Sequence, residues 1–224
     1  MHVLLTGSAG FLGSACRELL KRHPDIEVSL LRSGHGPVLV EGSPSSLDAP
    51  PSLSADELAR QLGPRRITHI MHVGALSSPE SCERNPENAY TSNVRFTEML
   101  AEYAQHVDAH LTTISTDLVF DGTKAPNGGL SEEDSPRPLS VYSQTKLSAE
   151  RITLRTPSHT VVRVALLYGH SFSASLGVLG WMERAFKEGT PLTLFSDEYR
   201  TPIHVMDAAA AILDISARSR AGIW

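Results

Sequence analysis

The first thirteen residues constrain this chain more than any other stretch. An apolar run, Val3-Leu4-Leu5, leads into Thr6-Gly7-Ser8-Ala9-Gly10-Phe11-Leu12-Gly13, and an amphipathic stretch follows over residues 11–22. This reads as a buried strand, a glycine turn and a helix, the context that gives a glycine pattern a physical meaning. Gly7 can take a turn conformation that a side chain hinders. Gly10 lets a backbone approach a pyrophosphate, and Gly13 lets the helix pack closely on the sheet. The helix start, with Ser8, Ala9, Phe11 and Leu12 around it, offers free N–H groups and a positive dipole end to phosphates. The spacing is Gly-x-x-Gly-x-x-Gly rather than Gly-x-Gly-x-x-Gly, and a glycine turn that merely joins a strand to a helix is the alternative. Position and context favour dinucleotide binding.

A second apolar run over residues 26–31 completes a strand–helix–strand unit. Arg32 stands at its carboxyl end, where such a unit meets the adenosine ribose, and no acid lies between residues 28 and 40. An NAD site places an acid about 20 residues past the glycines. Arginine instead suits a 2′-phosphate by its charge and donor fork. The cofactor expected is therefore NADP, with NAD as the alternative.

The rest of the chain alternates strands and helices. Residues 34–51 are rich in Gly, Pro and Ser and read as a surface loop with a short strand over 38–40. Residues 54–62 read as a helix opened by a Ser54–Glu57 capping box. A strand over 67–73 ends in Gly74-Ala75, small residues that let a cofactor pass close to the backbone. His69 and His72 are three apart, so they face opposite sides of that strand, which argues against a shared metal. A helical stretch over 88–106 follows, then a strand over 111–115 ending in Thr116, an exposed loop over 123–137, a helix over 138–155 and a strand over 161–167. Residues 177–188 look helical, 191–195 look like a short strand, 205–218 form an alanine-rich helix, and the pair after Gly222 looks like a strand barely begun. This order argues for an α/β, doubly wound parallel sheet. The expected organisation is a Rossmann-type NAD(P)-binding domain over 1–170 and a small, incomplete substrate lobe over 171–224.

Composition enters as exclusion. A net charge of −5 gives no electrostatic case for nucleic acid or an anionic membrane. Two cysteines imply no disulfide framework, and Cys16, on the first helix, reads as a small core residue. No apolar run approaches the ~20 residues that span a bilayer. A cytosolic chain is expected.

Tyr142 and Lys146 are four apart and share a helix face. An ammonium there favours the phenolate and lowers the tyrosine from its reference value of about 10. Such a tyrosine can pass a proton to a carbonyl that receives hydride, and Thr116 can hydrogen-bond the same oxygen.

With these motifs in place, the chain resembles the extended short-chain dehydrogenase/reductases, most closely the dTDP-4-dehydrorhamnose reductase branch. The glycine turn, Ser115-Thr116-Asp117-Leu118-Val119-Phe120-Asp121-Gly122, Tyr142-Ser143-Gln144-Thr145-Lys146, and Arg163 with Leu167-Tyr168-Gly169 carry the resemblance. It implies that Thr116 holds a carbonyl, Tyr142 donates the proton, and Lys146 binds the nicotinamide ribose and tunes Tyr142. It implies that Asn93 supports the site. Arg200-Thr201-Pro202-Ile203-His204-Val205 is similar to a substrate-side segment of nucleotide-sugar enzymes, making Arg200 a candidate for the sugar or its phosphates. The same branch resembles the regulatory β subunit of methionine adenosyltransferase, which binds NADP and a partner protein. Three readings follow: a reductase of a nucleotide-linked keto-sugar, an epimerase or dehydratase on the same scaffold, and a regulatory subunit without catalysis. Leu118 after Thr116-Asp117 disfavours the dehydratase, which needs an Asp-Glu pair there. A homo-oligomer or a protein partner is compatible with each.

Overall fold

In the computed structural model, residues 1–33, 46–49, 53–123, 129–170, 172 and 177–224 are described. The apolar opening run forms β1 (His2–Thr6), and the glycine turn delivers the chain into α1 (Phe11–Leu20). There follow β2 (Glu27–Ser33), β3 (Ser46–Ala49), α2 (Ala55–Leu62) and β4 (His69–His72). Helix α2 starts with the expected box: Ser54 Oγ accepts from the Glu57 amide while the Glu57 carboxylate accepts from the Ser54 amide. Two short helices, α3 (Pro79–Arg84) and α4 (Pro86–Tyr90), lead through a π-turn (Thr91–Arg95) into α5 (Phe96–Val107). Then come β5 (His110–Thr116), a 3₁₀ turn (Asp117–Val119), α6 (Val141–Thr153), β6 (His159–Val164), β7 (Leu167–Tyr168), α7 (Gly177–Glu188), β8 (Ile203–His204), α8 (Val205–Ala217) and β9 (Gly222–Ile223).

Among the described residues, seven strands form one sheet in the order β3-β2-β1-β4-β5-β6-β9, and every pairing in it is parallel. The order reverses beside β1, which puts the switch point between β1 and β4, directly above the glycine turn. Two cores flank the sheet. On one face Val3, Leu5, Ala15, Cys16 and Leu30 pack with Ala208, Ala209 and Ile212 of α8; on the other Leu4, Leu31 and Ile70 pack with Leu58, Leu62, Leu100 and Tyr103. Alternate residues of β1 thus feed opposite layers, as a strand covered on both faces must.

Several expectations are corrected. The strand over 161–167 is two pieces: β6 ends at Val164, and β7 pairs with β8 in a separate two-stranded sheet. Residues 191–195 form no strand; Leu194 and Phe195 are exposed, with no ladder to join. The loop over 34–51 contains β3, and the strand expected over 38–40 lies outside the described residues. Residues 205–224, expected in the substrate lobe, instead give α8 and β9 to the main layers. The apolar face of α8 covers α1, and β9 adds to β6.

Candidate functional site

The glycine turn is close-packed backbone. Gly7 sits at φ +69°, and a Cβ there would lie 2.4 Å from Gly74 Cα; one on Gly13 would lie 2.0 Å from the Gly7 carbonyl oxygen. Gly74, after β4, is held by its N–H donating to Thr6 Oγ1 at 3.2 Å, and Ala75 follows it. Gly10 is the N-cap of α1 in extended conformation and donates its N–H to the Gly7 carbonyl at 2.9 Å. No side chain caps α1, and its first turn carries no acid. The leading amides of Phe11, Leu12 and Gly13 are therefore left for an anionic ligand. A bare helix start in a cradle that any Cβ would fill fits a dinucleotide pyrophosphate. Ser8 is buried beneath the turn, and the Phe11 ring lies against Gly177 at the start of α7.

Arg32 lies in β2, in register with Asp48 of β3, and its side chain falls outside the described residues.

Thr116, Tyr142 and Lys146 come together at the carboxyl end of β5, two strands from β1. Thr116 caps the 3₁₀ turn, accepting from the Leu118 amide at 3.2 Å. Helix α6 is fixed at its start by a Ser140–Ser143 capping box and by Glu83 of α3, whose carboxylate accepts from the Val141 amide at 2.8 Å. Tyr142 is half-buried, and burial pushes its phenol up to about 12 despite the opposing pull of the Thr116 hydroxyl beside it. This corrects the expectation of a lowered value: desolvation of the phenolate outweighs any help from Lys146. Lys146 is 3% exposed, and burial pulls its ammonium down to about 8, only partly offset by Glu150 one turn on. Glu150 is itself committed: Arg163 of β6 grips it through Nε at 3.0 Å and Nη2 at 2.8 Å, and Ser115 Oγ donates to it.

Asn93 is fully buried in the π-turn. Its Oδ1 accepts from the Leu76 amide at 2.8 Å, and its Nδ2 donates to the Leu76 carbonyl at 3.2 Å and to Thr145 Oγ1 at 3.0 Å. Thr145 Oγ1 in turn donates to the Tyr142 carbonyl at 2.7 Å. One amide side chain therefore ties the loop after Gly74 to α6. Sequence reasoning missed Thr145, Glu150 and Glu83, although each is polar and each sits on or faces the Tyr142–Lys146 helix.

Arg200 reaches the site from the far side. Its Nε and Nη2 chelate the Asp117 carboxylate at 2.9 and 2.8 Å, and Nη1 donates to Glu198 at 2.8 Å. Asp117 adjoins Thr116, so the segment over 198–201 lies beside the Thr116–Tyr142 corner. His69 and His72 do face opposite layers, one toward Ser219 beyond α8 and the other toward Thr97 of α5. Among the described residues, no cluster of His, Cys, Asp and Glu is placed to hold a metal, and no helix is long and apolar enough to cross a membrane.

The model of the RmlD substrate binding domain matches residues 1–223. The chain belongs to that family. Methionine adenosyltransferase 2 subunit beta of Xenopus laevis is 35% identical over 152 residues, 66% of this chain and 44% of that protein. dTDP-4-dehydrorhamnose reductase of Aggregatibacter actinomycetemcomitans is 28% identical over 221 residues, 97% of this chain and 68% of that one. A solved dTDP-4-dehydrorhamnose reductase from Clostridium acetobutylicum superposes with a TM-score of 0.80 at 25% identity, covering all of this chain and 73% of the other. MoeE5, solved with UDP-glucuronic acid and NAD, superposes at 0.78 with 26% identity, covering all of this chain and 74% of that one. The match therefore spans less than half of the Xenopus laevis subunit's length.

Proposed function

We propose that this RmlD-family chain is an NADP-dependent reductase of a keto group on a nucleotide-linked sugar. The carrying observation is the convergence of Thr116, Tyr142 and Lys146 at the carboxyl end of β5, two strands from the glycine cradle along the same edge of the sheet. The dinucleotide, when bound, supplies the hydride. The chain's own residues supply the rest. The uncapped start of α1 holds the pyrophosphate, and Lys146 holds a ribose hydroxyl. The Thr116 hydroxyl orients the substrate carbonyl, and Tyr142 gives it a proton as its oxygen gains charge. A phenol held near 12 is fully protonated at neutral pH, which is the form a proton donor requires. Arg200 can exchange Asp117 for the substrate's phosphates, a charge-assisted contact.

The test is NADPH oxidation against a panel of nucleotide-linked keto-sugars. Wild type should turn one of them over, and Tyr142→Phe, which removes only a hydroxyl, should lower kcat by about 10²–10⁴-fold. A kcat within a few-fold of wild type sinks the role of Tyr142. For the cofactor, calorimetric titration should show wild type preferring NADPH to NADH and Arg32→Ala losing that preference. A wild-type preference for NADH refutes Arg32 as the selector. The likeness to methionine adenosyltransferase 2 subunit beta supports a second reading, a regulatory subunit. NADPH binding with no turnover of any keto-sugar, together with co-elution with a methionine adenosyltransferase catalytic subunit, would favour it.

A further inference from the structure

A line of buried side chains joins the glycine cradle to the π-turn, and the reaction described above does not use its central member. The Gly74 N–H donates to Thr6 Oγ1 at 3.2 Å, and Thr6 Oγ1 meets His72 Nδ1 at 2.8 Å. His72 Nε2 meets Thr97 Oγ1 at 3.0 Å, and Thr97 Oγ1 donates to the Asn93 carbonyl at 2.7 Å. Thr6, His72, Thr97 and Asn93 are all at most 1% exposed.

The direction of every link follows from its ends. A carbonyl only accepts, so the single proton of Thr97 is spent on Asn93. Thr97 must then accept from His72, which puts the ring proton on Nε2 and leaves Nδ1 as an acceptor. The Thr6 hydroxyl therefore donates to Nδ1 while accepting from Gly74. Burial and the nearby Lys146 ammonium hold the ring neutral, well below its ordinary range at about 3, consistent with one protonated nitrogen. Each hydrogen in the line is spent on one acceptor, so reversing a link takes its partner in the line from the Asn93 carbonyl or the Thr6 hydroxyl.

The two ends matter. Gly74 packs against Gly7, one of the two closest backbone approaches of the cradle. Asn93 grips Leu76 and, through Thr145, the Tyr142 carbonyl. The Asn93 carbonyl that Thr97 engages belongs to the π-turn, and such turns cluster at functional sites. His72 is the only bridge in this line between a strand and a helix: it links β1 and β4 to α5.

We propose that His72 is a positioning residue that transmits occupancy of the glycine cradle to Asn93, and so sets the seat of Tyr142. The proposal rests on the reading of the cradle as a dinucleotide site. Clamping Gly7 and Gly74 around a ligand fixes Thr6, and the one-way line of donors carries that order to the π-turn.

The experiment is amide hydrogen exchange read by mass spectrometry on the full chain, with and without saturating NADPH. The proteins are wild type, His72→Phe, His72→Gln, Thr97→Val and Thr97→Ser. In wild type, NADPH should slow exchange both in the cradle, residues 7–14, and in the π-turn, residues 91–97, the latter by about 5-fold or more. His72→Phe and Thr97→Val should keep protection at the cradle and lose it at the π-turn. His72→Gln and Thr97→Ser keep a donor and an acceptor, or the hydroxyl, and should restore it. If His72→Phe does not fold, Thr97→Val carries the test, since it changes one atom far from the cradle. Unchanged protection at 91–97 in the variants, or protection of the cradle alone in wild type, overturns the proposal and leaves the dinucleotide site standing. No protection anywhere in wild type overturns both.

Discussion

Lys146 shows what the site costs. A buried ammonium is held down to about 8 because water has been taken from it, and its neighbour Glu150 is occupied by Arg163. Its folded-state value lies below the unfolded 10.5, so the folded state disfavours the proton. The penalty is full below pH 8 and fades as pH rises from 8 toward 10.5. Lys146→Met should therefore raise stability at pH 7, on the order of 2 kcal/mol, while weakening NADPH binding. Urea denaturation at pH 7 and pH 10 checks it: the advantage of the variant should shrink at pH 10. A methionine variant less stable than wild type at pH 7 shows that the cation is not strained. The Tyr142–Lys146 pair was legible in the sequence because four-residue spacing on a helix fixes a shared face. The direction of the Tyr142 shift was not legible. Spacing places a cation near a phenol but says nothing of the water that folding removes, and that loss of water depends on α3 and the turn after β5, both distant in sequence.

At the scale of elements, α2 and its Ser54–Glu57 box read correctly. The π-turn at Thr91–Arg95 was hidden inside a stretch that reads as continuous helix, because one extra residue per turn leaves no mark on composition. Strand starts hold another pattern with a consequence. His2, His69, His110 and His159 open β1, β4, β5 and β6, along the edge of the sheet away from the site. The His69 and His110 rings are 5.9 Å apart, and both nitrogens of His110 meet hydroxyls, Ser158 Oγ and Thr160 Oγ1, each at 2.8 Å. Burial first, then His69 and His159, pulls His110 down to about 4. The unfolded chain therefore binds a proton at His110 below about 6.5 that the folded chain refuses until about 4, so stability falls as pH drops through that window. His110 alone should account for a loss on the order of 2 kcal/mol between pH 7 and pH 5. His110→Gln keeps a donor and an acceptor but not the titration, so its stability should fall less over that interval. Equal losses in the two proteins would assign the acid sensitivity elsewhere.

For the whole molecule, the class of fold was readable from alternation and the last strand from the β-type pair after Gly222, but its pairing with β6 was not, since a two-residue strand has no period to give it a face or a neighbour. Yet β9 guards the sheet's far edge. The Trp224 amide donates to the Val161 carbonyl at 2.9 Å, and the Trp224 carbonyl accepts from the Arg163 amide at 2.8 Å. Gly222 and Ile223 lie in register with Thr160 and Val161, and the Arg220 guanidinium stands over the Trp224 ring at 5.4 Å. Because Arg163 also holds Glu150, the backbone that β9 steadies is the same backbone that anchors α6. Deleting residues 221–224 would strip both hydrogen bonds and the Ile223 packing, a loss on the order of 2–4 kcal/mol. It would also leave β6 as a bare edge that can pair with another chain. Trp224→Ala keeps the backbone and should cost less than half as much. Urea denaturation gives the two stabilities, and light scattering at rising concentration reports association. A deleted protein as stable and as monodisperse as Trp224→Ala would show that β9 contributes only its tryptophan, and that β6 needs no partner to hold α6 in place.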